Sequence, residues 1–283
     1  MDIKDQDWAY LLRVGADSTY YGGGFHGPIF DGFSFEFIPI PEYETDDAYR
    51  ESNYGQFTYG NTYDRKCGQP FTEYIRSPKI RNSLQDRNMH LDPDFDNATY
   101  GDLVRTWTNH QLKFVSKAAS LQYLIPGNLL VFCASLDPYK TSNCQRALHM
   151  IGYFEVKKVH DFQDLTEDER WSKCKEFRQK NAHCASASRD DMNKADYKYL
   201  VLIEGKPKRS TLLDRAIQLT DEDYRILPIW TKELGLNPTA FFRGGRWLPQ
   251  KRRDQRHQRQ TYVARLLQLL DEHGRYHQNL RKI

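Results

Sequence analysis

This 283-residue sequence has no run of apolar residues near the ~20 a membrane span needs, so no transmembrane helix is expected. It has no Cys-x-x-Cys pair. Its five cysteines, Cys67, Cys133, Cys144, Cys174 and Cys184, are odd in number and scattered. That pattern fits free thiols in a reducing compartment better than a disulfide framework. The first residues, Met1 to Trp8, are acidic and lack an apolar core, so no secretory signal is expected and the expected location is the cytoplasm. There is also no strong charge excess. With 41 Lys+Arg against 38 Asp+Glu the formal net charge is +3, and only a local basic patch could mark a nucleic-acid binder. Internal repeats and low-complexity blocks are absent too.

Aromatic residues, by contrast, are abundant: 18 Tyr, 15 Phe and 5 Trp, which argues against disorder despite 28% charged residues. The length allows one large core without staples. The expected fold class is α+β, a curled mixed or antiparallel sheet, partly barrel-like, with flanking helices and a C-terminal amphipathic helix. It is read as a single domain over 1–283, with possible sub-regions at 1–115 and 116–283. Strands are expected at 10–14, 33–40, 127–134, 149–159 and 197–203. The 33–40 strand rests on the alternation of Phe33, Phe35 and Phe37 with Ser34 and Glu36. Residues 42–70 show little periodicity and read as a long irregular segment. Thr166 and Glu169 have capping-box spacing, and Thr220 to Asp223 reads as a second helix start. Val263, Leu266, Leu267 and Leu270 form one helical stripe, with Gly274 as its C′ residue.

The most site-like stretch is N-terminal. Arg13 and Asp17 leave the first strand and enter Tyr20, Tyr21, Gly22, Gly23, Gly24, Phe25 and His26, followed by Asp31. Three consecutive glycines allow backbone to approach a ligand, and neither Walker A nor Rossmann spacing is present. Asp17, His26 and Asp31 are candidate proton-handling or nucleophilic groups, and Arg13, the tyrosines, the glycines and Phe25 are candidate ligand contacts. The plainer reading is a surface loop with Asp17 as a turn former.

Four other constellations stand against simple structural readings. His90, Asp92, Asp94 and Asp96, with Tyr100 and Asp102 beyond, offer carboxylates at alternating positions, yet the EF-hand glycine and glutamate are missing, and a solvated Asp-Pro turn is the simpler reading. His160, Cys174, His183 and Cys184 lack the short spacing of a zinc site. Lys206-Pro-Lys208-Arg209 before Ser210 reads as a basic turn that either holds a phosphate at a helix start or is merely a capped helix with Arg215 on its surface. Arg243, Arg246, Lys251, Arg252 and Arg253 interleave with Phe241, Phe242 and Trp247, which suits phosphate and base stacking, or else forms the solvated start of the last helix. No motif specifies a cofactor or a metal.

Arg13-Val-Gly-Ala-Asp-Ser18, Gly27-Pro-Ile-Phe-Asp-Gly32, Phe35-Glu-Phe-Ile-Pro-Ile-Pro41 and Thr99-Tyr-Gly-Asp102 resemble the third family of nucleotide modification associated domains. Leu129-Leu-Val-Phe-Cys-Ala134, Ile151-Gly-Tyr-Phe154 and Ala240-Phe-Phe-Arg-Gly-Gly-Arg246 extend that resemblance across nearly the whole chain. It implies a place in bacterial or phage systems that alter DNA bases or handle altered ones. Separately, Pro126 to Phe132 and Ile151 to Val156 look like strands of PUA and EVE barrels, which hold nucleobases. Three functions are therefore expected in order: an enzyme acting on a nucleobase or nucleotide, with a base in duplex DNA flipped out first; a non-catalytic reader of modified or flipped bases; and a small-metabolite enzyme without nucleic-acid contact. DNA or a nucleotide is the expected partner, with other components of a base-modification system possible.

Overall fold

A computed structural model describes residues 8–15, 26–42, 47–108, 111–114, 119–140, 143–237, 245–248 and 256–273. The principal sheet draws its strands from the apolar runs of the sequence: β1 (Ala9–Arg13), β2 (Gly27–Ile29), β5 (Thr99–Leu103), β8 (Leu129–Pro138), β9 (Ala147–Asp161), β10 (Leu200–Gln218) and β11 (Gly245–Leu248). Two small pairs lie outside it: β3 (Ile40–Pro41) with β4 (Met89–His90), and β6 (Arg105–Thr108) with β7 (Gln111–Phe114). The principal order is β11-β1-β8-β9-β10-β5, with β2 also paired to β8. β1 and β2 run parallel to β8, and β9 runs antiparallel to it, so the sheet is mixed. Among the described residues it is open, without the closure of a barrel. Among the described residues seven helices accompany it: α1 (Asp47–Glu51), α2 (Pro78–Leu84), α3 (Glu167–Phe177), α4 (Ala182–Ala185), α5 (Ala195–Lys198), α6 (Ile229–Leu234) and α7 (Arg256–His273). The α+β class is as the sequence indicated.

The chain forms two compact units. The first comprises Met1–Ile38, Pro126–Val156 and Lys208–Lys282, and the second comprises Pro39–Ile125 and Lys157–Pro207. In the first unit β8 is buried along nearly its whole length, which is why its sequence from Leu129 to Ala134 is continuously apolar rather than alternating. Leu266 and Leu270 of α7 are fully buried, at a gain of roughly 2 kcal/mol each. Gly274 lies outside the described residues. In the second unit α3 begins with a complete capping box. Thr166 Oγ1 accepts from the Glu169 amide at 3.4 Å, and Glu169 Oε2 accepts from the Thr166 amide at 2.8 Å.

Three local expectations are corrected and a fourth is refined. Residues 33–40 do not form a strand: Asp31–Phe33 is a 3-10 turn in which Gly32 and Phe33 take positive φ, leaving only an isolated bridge from Ile29 to Phe35. The turn resets the alternation, and Phe33 is 40% exposed. Lys206 to Arg209 do not precede a helix, because buried apolar stretches on both sides continue β10 through them. Thr220 to Asp223 form a turn, since Asp221 Oδ1 accepts from the Asp223 and Arg225 amides and so offers the backbone a local alternative to helix. The helix starts instead at Ile229, and Gly235 ends it at φ 64. Residues 42–70 contain α1, with Tyr49, Tyr54 and Tyr59 fully buried.

His149 on β9 is fully buried. Its Nδ1 donates to the Ala147 carbonyl at 3.0 Å, and its Nε2 has no hydrogen-bond partner. Burial lowers its pKa to about 4, with the Ala147 bond opposing. A histidine neutral in the fold and ordinary when unfolded contributes stability above pH 6.5 that is lost as pH falls toward 4. Urea titrations between pH 7 and pH 4 should therefore show wild type losing on the order of 3 kcal/mol more than His149→Asn. Equal pH slopes in the two proteins would refute the assignment.

Candidate functional site

The second unit brings together residues from two separate constellations of the sequence. β3 and β4 pair antiparallel with Ile40 opposite His90, and Glu42 continues β3 by donating its backbone amide to the Asn88 carbonyl at 2.9 Å. Glu42 is thus on the diagonal from His90, within reach of a long side chain. His90 Nδ1 lies 2.7 Å from Glu42 Oε2 and donates to it. Tyr49 fixes β4 from behind, donating its hydroxyl to the Met89 carbonyl at 2.7 Å.

Asp92 follows at i+2, and its side chain is only 2% exposed. Its two carboxylate oxygens accept from the Gly101 amide at 3.2 and 2.9 Å. The chain between them is turned by Asp94, whose backbone exchanges two bonds with Thr99 and whose carboxylate accepts from the Asp96 and Asn97 amides and the Tyr54 hydroxyl. The Asp-rich stretch therefore divides: Asp94 is the turn former, and Asp92 points into the cluster.

His183 comes from α4, whose N-cap Asn181 is fully buried and accepts from the His183 amide at 3.0 Å. Thr99 anchors the same segment by donating to the Lys180 carbonyl. Behind α4, Ala182 and Ala185 pack against Tyr49, Tyr54 and Leu91. His183 Nε2 lies 3.2 Å from Asp92 Oδ2, 3.3 Å from His90 Nε2 and 3.1 Å from the Gly101 carbonyl. The two imidazoles meet edge to face at 4.5 Å. Burial raises the Asp92 pKa, with His183 opposing. Burial works against protonated His183, but the bond to Asp92 and its charge outweigh that, so the ring holds its proton above the ordinary histidine range. His90 and His183 keep 12% and 25% of their side chains exposed, so the cluster is reachable from solvent.

Among the described residues, His90, Asp92 and His183 are the one group of three metal-capable side chains within mutual reach. The other proposed zinc set separates. Cys174 and Cys184 belong to the apolar core with Phe162 and Phe177, while His160 lies 3.5 Å from Glu204. Sequence reading missed Glu42 altogether and placed His90 and His183 in different groups. The one local signal was the His90-x-Asp92 spacing, which puts both side chains on one side of an extended segment.

Of the N-terminal candidates, Arg13 ends β1 with its guanidinium 4.7 Å over the Tyr224 ring, and Tyr224 shares a 2.8 Å hydrogen bond with Ser135. His26 is buried just before β2. Asp31 is exposed just after it, accepting from the Asn143 amide at 3.3 Å. β1 ends opposite Cys133 and β2 begins opposite Leu136, so the ends of the glycine-rich segment lie close together on one edge of β8. Asp17, Tyr20, Tyr21, Gly22, Gly23, Gly24 and Phe25 lie outside the described residues, as do Arg243, Lys251, Arg252 and Arg253. Arg246 is on β11, opposite Leu11. Lys208 and Arg209 are exposed on β10, with Arg209 bonded to Glu155 at 3.0 Å.

The fold and cluster define an α+β protein with a semi-buried pair of histidines over a buried carboxylate. The sequence matches the family described as nucleotide modification associated domain 3 over residues 9–265, and the chain belongs to that family. No curated protein and no solved structure matches it. Among the described residues, no helix is long and apolar enough to cross a membrane.

The cluster depends on the bareness of Gly101, where an added Cβ would fall 2.6 Å from His183 Cδ2 and 3.3 Å from Asn181 Oδ1. Gly101→Ala should therefore displace the His183 ring and destabilise the protein by about 1–3 kcal/mol, measured by urea unfolding. Wild-type stability with an unshifted His183 imidazole resonance would contradict this close contact.

Proposed function

We propose that this chain is an enzyme of a nucleotide modification system that acts on a nucleobase or nucleotide, with Glu42, His90, Asp92 and His183 as its chemical centre. The observation that carries this reading is the pair of Nε2 atoms 3.3 Å apart beside a carboxylate with 2% side-chain exposure. Burying such groups is expensive, and apolar residues of similar size would pack a core at no such penalty. Groups placed this way are suited to hold and move a proton beside a bound substrate. Membership of the family directs that chemistry toward nucleotides.

In the first unit, Arg13 and the segment carrying Tyr20, Tyr21, Gly22, Gly23, Gly24 and Phe25 are proposed as ligand contacts, with Asp17, His26 and Asp31 supporting binding there. Lys208 and Arg209, together with Arg243, Arg246, Lys251, Arg252 and Arg253, are proposed for phosphate contact if the substrate is polymeric DNA. A reader function remains the second reading, favoured by the exposed basic residues on β10.

The test is mass spectrometry of nucleosides after incubating the chain with nucleotides and with DNA carrying ordinary or altered bases. His183→Ala and Asp92→Asn should each lower turnover ~100-fold or more. Asp17→Asn and His26→Ala should each weaken nucleotide binding to the chain, read by calorimetry. Undiminished turnover in His183→Ala would remove the cluster from the chemistry, and tight binding of altered DNA without covalent change would transfer the protein to the reader class. Lys208→Ala should flatten the salt dependence of DNA affinity by about one unit of log–log slope. An unchanged slope would exclude Lys208 from phosphate contact.

A further inference from the structure

The same cluster carries an inference about what it holds, and this rests on its reading as the chemical centre. His90 Nε2, His183 Nε2 and Asp92 Oδ2 form a triangle with edges of 3.3, 3.2 and 3.9 Å. The circle through three such points has a radius of about 2.0 Å, which matches the bond lengths of Zn(II) to imidazole nitrogen and carboxylate oxygen. An ion at its centre would be in bonding distance of all three atoms without movement of the backbone.

The count of donors and acceptors points the same way. His90 spends its Nδ1 proton on Glu42, so in the neutral ring Nε2 presents a lone pair toward His183. Asp92 Oδ2 and the Gly101 carbonyl present lone pairs to the same place. A single N–H on His183 Nε2 faces all three. Electron pairs thus converge in excess of protons, which is the arrangement a cation satisfies. Glu42 occupies the position of the outer carboxylate that commonly fixes the tautomer and raises the basicity of a metal-binding histidine. Two nitrogen donors weigh against Mg(II) and Ca(II), which take oxygen ligands, and toward the transition metals.

We propose that His90, Asp92 and His183 bind one divalent first-row transition-metal ion as a two-histidine, one-carboxylate face, with Glu42 as the positioning residue for His90. Three protein ligands leave coordination positions for water or substrate, on the side where the two imidazoles keep partial exposure. Zinc hydrolytic centres and non-haem iron centres share this donor set.

The experiment uses the full chain, stripped by chelator and dialysed. Zn(II) is titrated by calorimetry, Co(II) by visible absorption, and Fe(II) anaerobically by metal analysis after desalting. One ion per chain is expected, at micromolar affinity or tighter. His183→Ala and Asp92→Asn should weaken it at least 100-fold, and Glu42→Gln ~10–100-fold with stoichiometry unchanged. Intense Co(II) bands would assign a four-coordinate, zinc-type centre, and weak bands with Fe(II) retention an iron-type centre. Asp92→Asn keeps the side-chain size and serves if His183→Ala does not fold, as judged by circular dichroism. No stoichiometric uptake by folded wild type, or wild-type affinity in the variants, would overturn the proposal. Metal uptake without nucleotide turnover would uphold the site and defeat the functional reading, whereas turnover that survives chelation yet is lost in the variants would do the reverse.

Discussion

The site depends on an absence: residue 101 has no side chain, so an imidazole can lie on the backbone of β5. His183 approaches so closely that a methyl group there would overlap its ring. That contact lets the backbone of one residue serve both partners. The Gly101 amide holds the Asp92 carboxylate, and the Gly101 carbonyl faces His183 Nε2. β5 itself is held in register by β10, with Gly101 opposite Leu202, so the platform belongs to a sheet and not to a loop. Side chains positioned by a strand and a short anchored helix have little freedom, and a chemical centre needs that rigidity.

The surrounding tyrosines explain how a polar group of this kind is accommodated. Tyr49 and Tyr54 put apolar ring faces against α4 and Leu91, while their hydroxyls bind Met89 O and Asp94 Oδ2. Tyr59 does the same for the Pro39 carbonyl at 2.5 Å. Rings fill the interior, and their polar tips satisfy backbone and carboxylate groups that burial would otherwise leave unpaired. The high tyrosine content thus has a local purpose in the second unit. It braces the two short strands that carry Glu42 and His90.

Much of the fold was legible because it rests on local rules. The apolar runs at 129–134 and 200–203 are strands because both faces are covered. The Thr166–Glu169 box and the Leu266–Leu270 stripe are local in the same sense. Legibility failed where local patterns were overridden. The phenylalanine alternation at 33–37 was broken by a positive-φ turn, and the basic stretch at 206–209 was carried into a strand by its flanks. Within the site, Asp92 and Asp94 looked equivalent in sequence. They differ because Asp94's carboxylate is saturated by its own turn and Asp92's is turned toward Gly101.

By itself the sequence determined the α+β class, the apolar strands, the capped and amphipathic helices and the family, since each is set by residues near one another or by patterns along nearly the whole chain. It also supplied His90-x-Asp92 as a paired feature, because alternate residues of an extended chain share a side. Only the tertiary structure decided that this pair meets His183, 93 positions from His90, and that Glu42 stands behind it. Such meetings follow from strand register and from the seating of a four-residue helix against β5. Register is fixed by the packing of whole faces, which no local spacing encodes.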